Sequence, residues 1–561
     1  MRFSLSLGER AGVRGKGRSN LSQCSLRDGL PVRCFFVIFA LLCTAVFTPA
    51  AETSRYDDPF PIVSSKKGLQ VQMLDDAIAL GIKHAALNVN LTSLVDLSGD
   101  TNSLPWSIDG RAVRFKKSSV NALDRQVKRL SDAGAVVSFI LLTYASGNAP
   151  LDAVMLHPHY DKGAPNRLGN FNTVTPEGAL HFRACMEFLC DRYNQPAHPH
   201  GRAVNFILGN EVNSHWFWAN MGRVTMEEFA DDYLRTARLA STALRKISSS
   251  ARLYLSLEHH WSIRYPGGDE RQAFAARPFL DYFNRRAKEQ GNFEWHLAFH
   301  PYPENLFDPR TWRDQSATTN DNTPRITFKN LEVLMRYLRQ PELLINGKAR
   351  RVILSEQGFN TPDKPDGEIL QAAGYAYAWR KVDALDGIDS FILHRHVDHG
   401  HEGGLKLGLW SRDTNSPSAA APLAKKKIYE VFRAADTPQW EEAFRFALPV
   451  IGITNWNDLR RGVRLKVTGT RWWALSRCDK TSPRGAGGLD MVKVAPPAPL
   501  CAARLLAARA VPPPRSARLH RSGGRLSTSA SIKPRGNRFQ THRSAGHDTE
   551  QIHGKGMETK E

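Results

Sequence analysis

Two glutamates stand where apolar runs turn polar. Glu211 closes VNFILGNEVN and Glu356 closes RVILSEQGFN. A carboxylate at the end of each of two strands is the minimum equipment for cleaving a glycosidic bond, one as acid/base and one as nucleophile. A surface carboxylate or a structural ion pair is the plain alternative for either. Near them in chemistry stand Phe299-His300-Pro301-Tyr302, with an imidazole and a phenol able to set protonation states. Packing or capping is the alternative for His300 and Tyr302.

Aromatic and polar side chains follow the same strand ends. Trp216 and Trp218 come soon after Glu211, and His260 and Trp261 come just after Glu258. Indole rings suit the apolar faces of sugars, and equally suit packing beneath a loop. Glu258 is read as a contact to substrate hydroxyls or as structural. The string His394-Arg395-His396-Val397-Asp398-His399-Gly400-His401 allows three readings. It is a receptor for a sugar sulfate or carboxylate, a metal-binding set in a metal-dependent hydrolase, or a polar loop. No HxH stands on the first strand to complete a metal site.

These residues must be positioned by a scaffold, and the chain between about 60 and 436 supplies one. Strand-like runs are expected at Pro61–Ser65, His84–Asn90, Ala135–Leu142, Ala203–Leu208, Arg252–Leu257, Trp295–Phe299, Arg351–Ser355 and Ile388–Leu393. The third (AVVSFILL) is apolar throughout, as a strand buried on both faces must be. Helical segments follow each, at Val71–Leu80, Val120–Ala133, from Pro176, Met226–Lys246, Phe274–Gln290, Lys329–Arg339, Gly367–Leu385 and Leu423–Ala435. Pro176-Glu177 suits a first helical turn. Longer loops are expected at 94–119, 143–175 and 303–328. Eight strand–helix units argue for an α/β fold, the (β/α)8 TIM barrel with loop insertions, whose site lies at the C-terminal strand ends.

Asn210-Glu211 on the fourth strand, Glu356 on the seventh and Tyr302 after the sixth together resemble the clan A retaining glycoside hydrolases. The whole looks like an uncharacterised bacterial glycoside-hydrolase-like family. The resemblance implies Glu211 as acid/base, Glu356 as nucleophile, Asn210 on the sugar 2-hydroxyl, a carbohydrate substrate and no cofactor. Two positions depart from it. Asn88 and Asn90 stand where many members have Arg, and His394-Arg395-His396 where many have Trp, with Trp410 in the loop beyond. A carbohydrate-binding barrel without catalysis is the other reading these departures allow.

The 561 residues carry a net charge of +21, which at first suggests a polyanion partner. The distribution argues against it. Residues 1–50 hold seven Lys/Arg against two Asp/Glu, and 459–561 hold 21 against six; the stretch between, with 48 against 47, is nearly neutral. No nucleic-acid partner is expected of the barrel. Residues 459–561, rich in Arg, Pro, Ser and Gly, read as a disordered basic tail or a translated frameshift. The apolar run Cys34–Phe47, followed by small residues, reads as a secretion signal cleaved near Ala50 or Ala51. An uncleaved anchor is the alternative. The N-terminal extension thus covers 1–51, the barrel 57–458, and no membrane span remains after cleavage. Cys185 and Cys190, five apart on one helix, face different ways and should not bridge.

Overall fold

The computed structural model describes residues 55–459. The expected signal segment and most of the basic tail lie outside them. Eight strands form the barrel: β1 (Lys67–Gln70), β2 (His84–Asn90), β3 (Val136–Tyr144), β4 (Ala203–Leu208), β5 (Arg252–Glu258), β6 (His296–His300), β7 (Val352–Gln357) and β8 (Ile388–Leu393). Each pairs in parallel with the next, and β8 returns to β1, so the sheet is closed. The principal helices are α1 (Leu74–Ala79), α2 (Lys117–Asp132), α3 (Pro176–Arg192), α4 (Met226–Ile247), α5 (Ala276–Glu289), α6 (Glu332–Tyr337), α7 (Gly367–Asp383) and α8 (Lys427–Ala434).

The two faces of the strands do different work. Ala86, Ile140, Ile207, Tyr254, Ala298, Ile353 and Ile392, from β2 to β8 in turn, fill the barrel interior. Their neighbours Phe139, Phe206, Leu255, Phe299, Leu354 and Phe391 point outward into the core under the helices. This is the period-two alternation of a strand. On α2 the buried residues are Val120, Leu123, Val127 and Leu130, the three-and-four spacing that puts one helix face on the barrel. Helix ends are fixed by side chains. Thr175 accepts from the Gly178 N–H to start α3, and Thr225 with Glu228 forms a capping box on α4.

Strand β1 starts six residues later than its sequence suggests. Pro61 has no N–H to offer a ladder, whereas Lys67, Gly68 and Leu69 pair with β8, and Gly68, Leu69 and Gln70 pair with β2. Gly68 is required there by crowding. A Cβ on it would lie 2.8 Å from Ile392 Cγ1 and 3.0 Å from His84 Cβ. The loops are more structured than expected. Residues 94–119 contain an antiparallel sheet of Val95–Asp96, Leu104–Ile108 and Arg111–Phe115. Its hairpin turns on Asp109 and Gly110, both at positive φ, as a two-residue hairpin demands. Residues 143–175 hold a helix at Ala149–Met155 and a strand at Leu168–Gly169.

The last helix also starts later than Leu423. Pro422–Lys425 is instead a strand paired with Trp410–Arg412, and the helical period begins with Ile428, Tyr429, Val431 and Phe432, all buried. Cys185 and Cys190 are buried and unbridged, as expected. No helix among the described residues is long and apolar enough to cross a membrane.

Two stability predictions follow from this packing. Gly68→Ala should destabilise the barrel by roughly 1–3 kcal/mol through overpacking, read by denaturant unfolding. Three buried histidines predict acid sensitivity. Burial pushes His84 and His157 down to about 4 and His215 to about 3. Their stabilising contribution is complete above the unfolded value near 6.5 and is lost as pH falls toward the folded values. Stability should therefore drop between pH 7 and 5 by on the order of 2 kcal/mol per histidine, measured as a falling melting temperature.

Candidate active site

A cavity of about 590 Å³ opens at the C-terminal ends of the strands. Glu211 lies just beyond β4, after a sharp turn with Gly209 at φ 77° and Glu211 itself at φ 41°. A left-handed conformation is uncommon for a glutamate and marks a constrained position. Its backbone N–H donates to Ser256 Oγ on β5 at 3.0 Å. Glu356 lies on β7, where the pairing with β8 shifts register between Leu354 and Gln357. Such an irregularity re-aims side chains. Here it lets both Ser355 and Glu356 serve the site. One oxygen of Glu211, one of Glu356 and a nitrogen of His300 all lie within 4.8 Å of one another.

The two carboxylates have different partners. His300, from the end of β6 and only 1% exposed, sets Nδ1 at 2.9 Å from Glu211 Oε1 and Nε2 at 2.9 Å from Ser355 Oγ. The Tyr302 hydroxyl donates to Glu356 Oε1 at 3.2 Å. Burial raises the Glu211 carboxyl above the usual carboxylate range. The charges of Glu356 and Glu258 add to the rise, and His300 pulls against it. Burial alone would lower His300, but the bond to Glu211 and the nearby carboxylates raise it overall. The contact at 2.9 Å thus lowers the Glu211 carboxyl's hold on a proton and strengthens that of His300. Burial and the charges of Glu356 and Glu211 push the Tyr302 phenol far up, so it remains a donor.

Several residues anticipated from sequence line this cavity with the two glutamates and Tyr302. They are Asn88, Asn210, Trp218, Glu258, His260, His394 and Arg395. Five others do not. Asn90 caps the short helix Leu91–Leu94, its side chain accepting from the Thr92 N–H. Trp216 is buried. Trp261 is fully buried, its indole donating to the Asp321 carbonyl and its ring meeting Tyr337 edge to face. His396 turns away from the cavity although His394 and Arg395 line it, and its Nε2 meets Asp76 Oδ2 at 2.8 Å. Trp410 donates to the same oxygen at 3.0 Å, and the Tyr429 hydroxyl donates to Asp76 Oδ1 at 2.8 Å. Asp76, on α1, is therefore an anchor for the segment after β8.

Glu258 lines the cavity but is already well used. Its Oε1 accepts from Asn213 and Ser214, and its Oε2 meets the His260 N–H and Nδ1. Residues that sequence reasoning missed include Gln70, Tyr144, Phe217, Tyr265 and Glu402. Gln70 was hidden by the misplaced first strand. Tyr144 ends an apolar run just as the glutamates do, and that signal was readable. Glu402 sits in a loop with no local pattern.

The histidine string does not converge on one centre. His394, His399 and His401 face the cavity, His396 faces Asp76, and Asp398 pairs with Lys426 at 2.8 Å. Among the described residues, three ligand atoms gather at Glu258, His259 and His260, and at Glu211, His300 and Glu356. In the first set the Glu258 oxygens are committed as above, and His259 Nδ1 bonds the Tyr302 carbonyl at 3.0 Å. Neither set includes the string.

The chain belongs to a family of unknown function, DUF5722, which it matches over residues 59–459. No curated protein matches it. Solved structures similar to it include a family 39 glycoside hydrolase from Bacteroides cellulosilyticus, at 15% identity and TM-score 0.43. That likeness covers 69% of this chain and 64%, under two thirds, of the other. A hyperthermophilic beta-glucosidase from Pyrococcus furiosus is similar at 13% identity and TM-score 0.41, over 67% and 86% of the two chains. A family 5 glycoside hydrolase from Streptomyces cattleya, solved with GlcNAc, is similar at 14% identity and TM-score 0.41, over 70% and 84%.

The commitments of Glu258 predict a mainly structural penalty on its removal. Glu258→Ala strands the Asn213, Ser214 and His260 donors in a buried site. It should lower unfolding free energy by about 2–4 kcal/mol in a denaturant titration.

Proposed function

We propose that this member of the family is a glycoside hydrolase that retains anomeric configuration. The observation that carries the reading is the spacing of Glu211 and Glu356, with an oxygen of each within 4.8 Å of the other. Retaining enzymes hold their carboxyl groups at about 5–5.5 Å, whereas inverting enzymes keep them at about 6.5–9.5 Å to admit a water. The different surroundings of the two groups support different roles. A raised carboxyl suits a proton donor, and Glu356, fixed by Tyr302, suits a nucleophile.

In the first step the Glu356 carboxylate attacks the anomeric carbon and the bond to the leaving oxygen breaks. Glu211 gives its proton to that oxygen. In the second step Glu211, now a carboxylate, takes a proton from water. That water attacks the anomeric carbon and releases Glu356. Asn210 bonds the sugar 2-hydroxyl, a contact that strengthens in the transition state. Phe217, Trp218 and Tyr265 provide aromatic surface along one side of the cavity for sugar faces. No cofactor enters the reaction. The apolar run at 34–47 supports secretion, and with it a substrate met outside the cytoplasm.

Variants at the two glutamates test the assignment. Glu356→Ala should lose at least about 10³-fold in kcat/KM on aryl glycosides, and azide should restore turnover with a glycosyl azide of inverted configuration. Glu211→Ala should lose far less on substrates with good leaving groups, and azide should give a product of retained configuration. Glycan binding by the wild type with no turnover on any glycoside would refute the reading.

A further inference from the structure

Arg395 is the one Lys or Arg among the described residues that line the cavity. Left free, it would be the natural receptor for a uronic acid or a sugar sulfate. It is not free. Glu402, from the loop seven residues on, folds back so that its Oε1 takes both the Arg395 guanidinium and His394 Nε2, the latter at 3.0 Å. The Arg395 and Glu402 side chains are 15% and 17% exposed, so solvent screens the pair little. Burial would raise the Glu402 carboxyl, yet His394 and Arg395 hold it at about 2. It stays charged, and it cancels the only fixed cation of the lining.

The pairing indicates what fits there. Glu402 Oε1 engages Arg395 through one terminal nitrogen, and Arg395 Nε and Glu402 Oε2 are shielded from solvent. A neutral, hydroxyl-bearing sugar brings no charge that needs a partner in this lining. A carboxylate or sulfate would find the Arg395 charge already matched by Glu402. It would also enter a cavity lined by Glu211, Glu258 and Glu356. The wall continues this neutral logic: His394 Nδ1 engages Gln70 Oε1, and Gln70 Nε2 donates to Asn88 Oδ1 at 3.4 Å.

We infer that the Glu402–Arg395 pair makes the cavity selective for uncharged, hydroxyl-bearing sugars and excludes uronic acids and sulfated sugars. The inference rests on the glycosidase reading for its choice of ligand class, but binding can be measured without turnover. It also runs against the anion-receptor reading, one of the three that the sequence allowed for the string containing Arg395.

The test uses methyl glycosides in pairs that differ only at C6: glucoside and glucuronide, galactoside and galacturonide, mannoside and mannuronide. Binding is measured by calorimetry, beside hydrolysis of the matching aryl glycosides. The wild type should bind the neutral member of at least one pair tenfold or more tightly than its uronide. Glu402→Gln keeps the side-chain volume and releases the Arg395 charge, so the uronide should gain at least tenfold relative to its neutral twin. A wild type that binds a uronide equally or better overturns the inference whether or not the variant folds. Binding of no neutral glycoside overturns it too, as does an unchanged ratio in a Glu402→Gln protein whose melting shows it folded. Selective binding without hydrolysis of any pair leaves the inference standing and removes the glycosidase assignment alone.

Discussion

Two carboxylates within 4.8 Å of each other, in a cavity floored by apolar side chains, repel strongly, and the site is organised around that repulsion. Three strands share the task of holding them. β5 offers Ser256 to the Glu211 backbone, β6 places His300 on the Glu211 carboxyl, and the segment after β6 places Tyr302 on Glu356. The irregular pairing of β7 links the halves. Ser355 positions the histidine that serves Glu211, while the next residue is Glu356 itself. A movement of β7 would disturb both partners together.

Outside this pair, polar side chains around the cavity are largely satisfied by one another. Glu258 is consumed by three neighbours, Glu402 by two and Asp76 by three. Unpaired polar groups are costly when buried, so a cavity this polar needs such networks to be a rigid mould. The Arg395–Glu402 pair leaves the described lining without an unmatched Lys or Arg.

The barrel was legible because strands buried on both faces leave continuous apolar runs. β2, β4 and β8 appear with the limits read from sequence. β1 was misplaced because its four residues, Lys-Gly-Leu-Gln, have neither alternation nor bulk, and tertiary pairing alone makes them a strand. Glu211, His300, Tyr302 and Glu356 were legible because each stands at or just past the end of an apolar run. Residues further along the loops were not. Trp216, Trp261, His396 and Trp410 have the right chemistry, but their direction depends on turns that leave no local pattern. Glu402 was invisible for the same reason, since its role depends on a loop folding back on β8.

Asp76 stands near the beginning of the barrel, and its partners His396, Trp410 and Tyr429 stand at its end. The fold's first helix therefore waits, during synthesis, for more than 300 residues before its carboxylate is matched. The sheet also stays open at β1 until β8 emerges. A ribosome-bound chain short of Tyr429 has Glu211 and Glu356 but no finished cavity wall. Assembly of the binding surface is thereby a late event, coupled to release of the complete barrel rather than to any early folding unit.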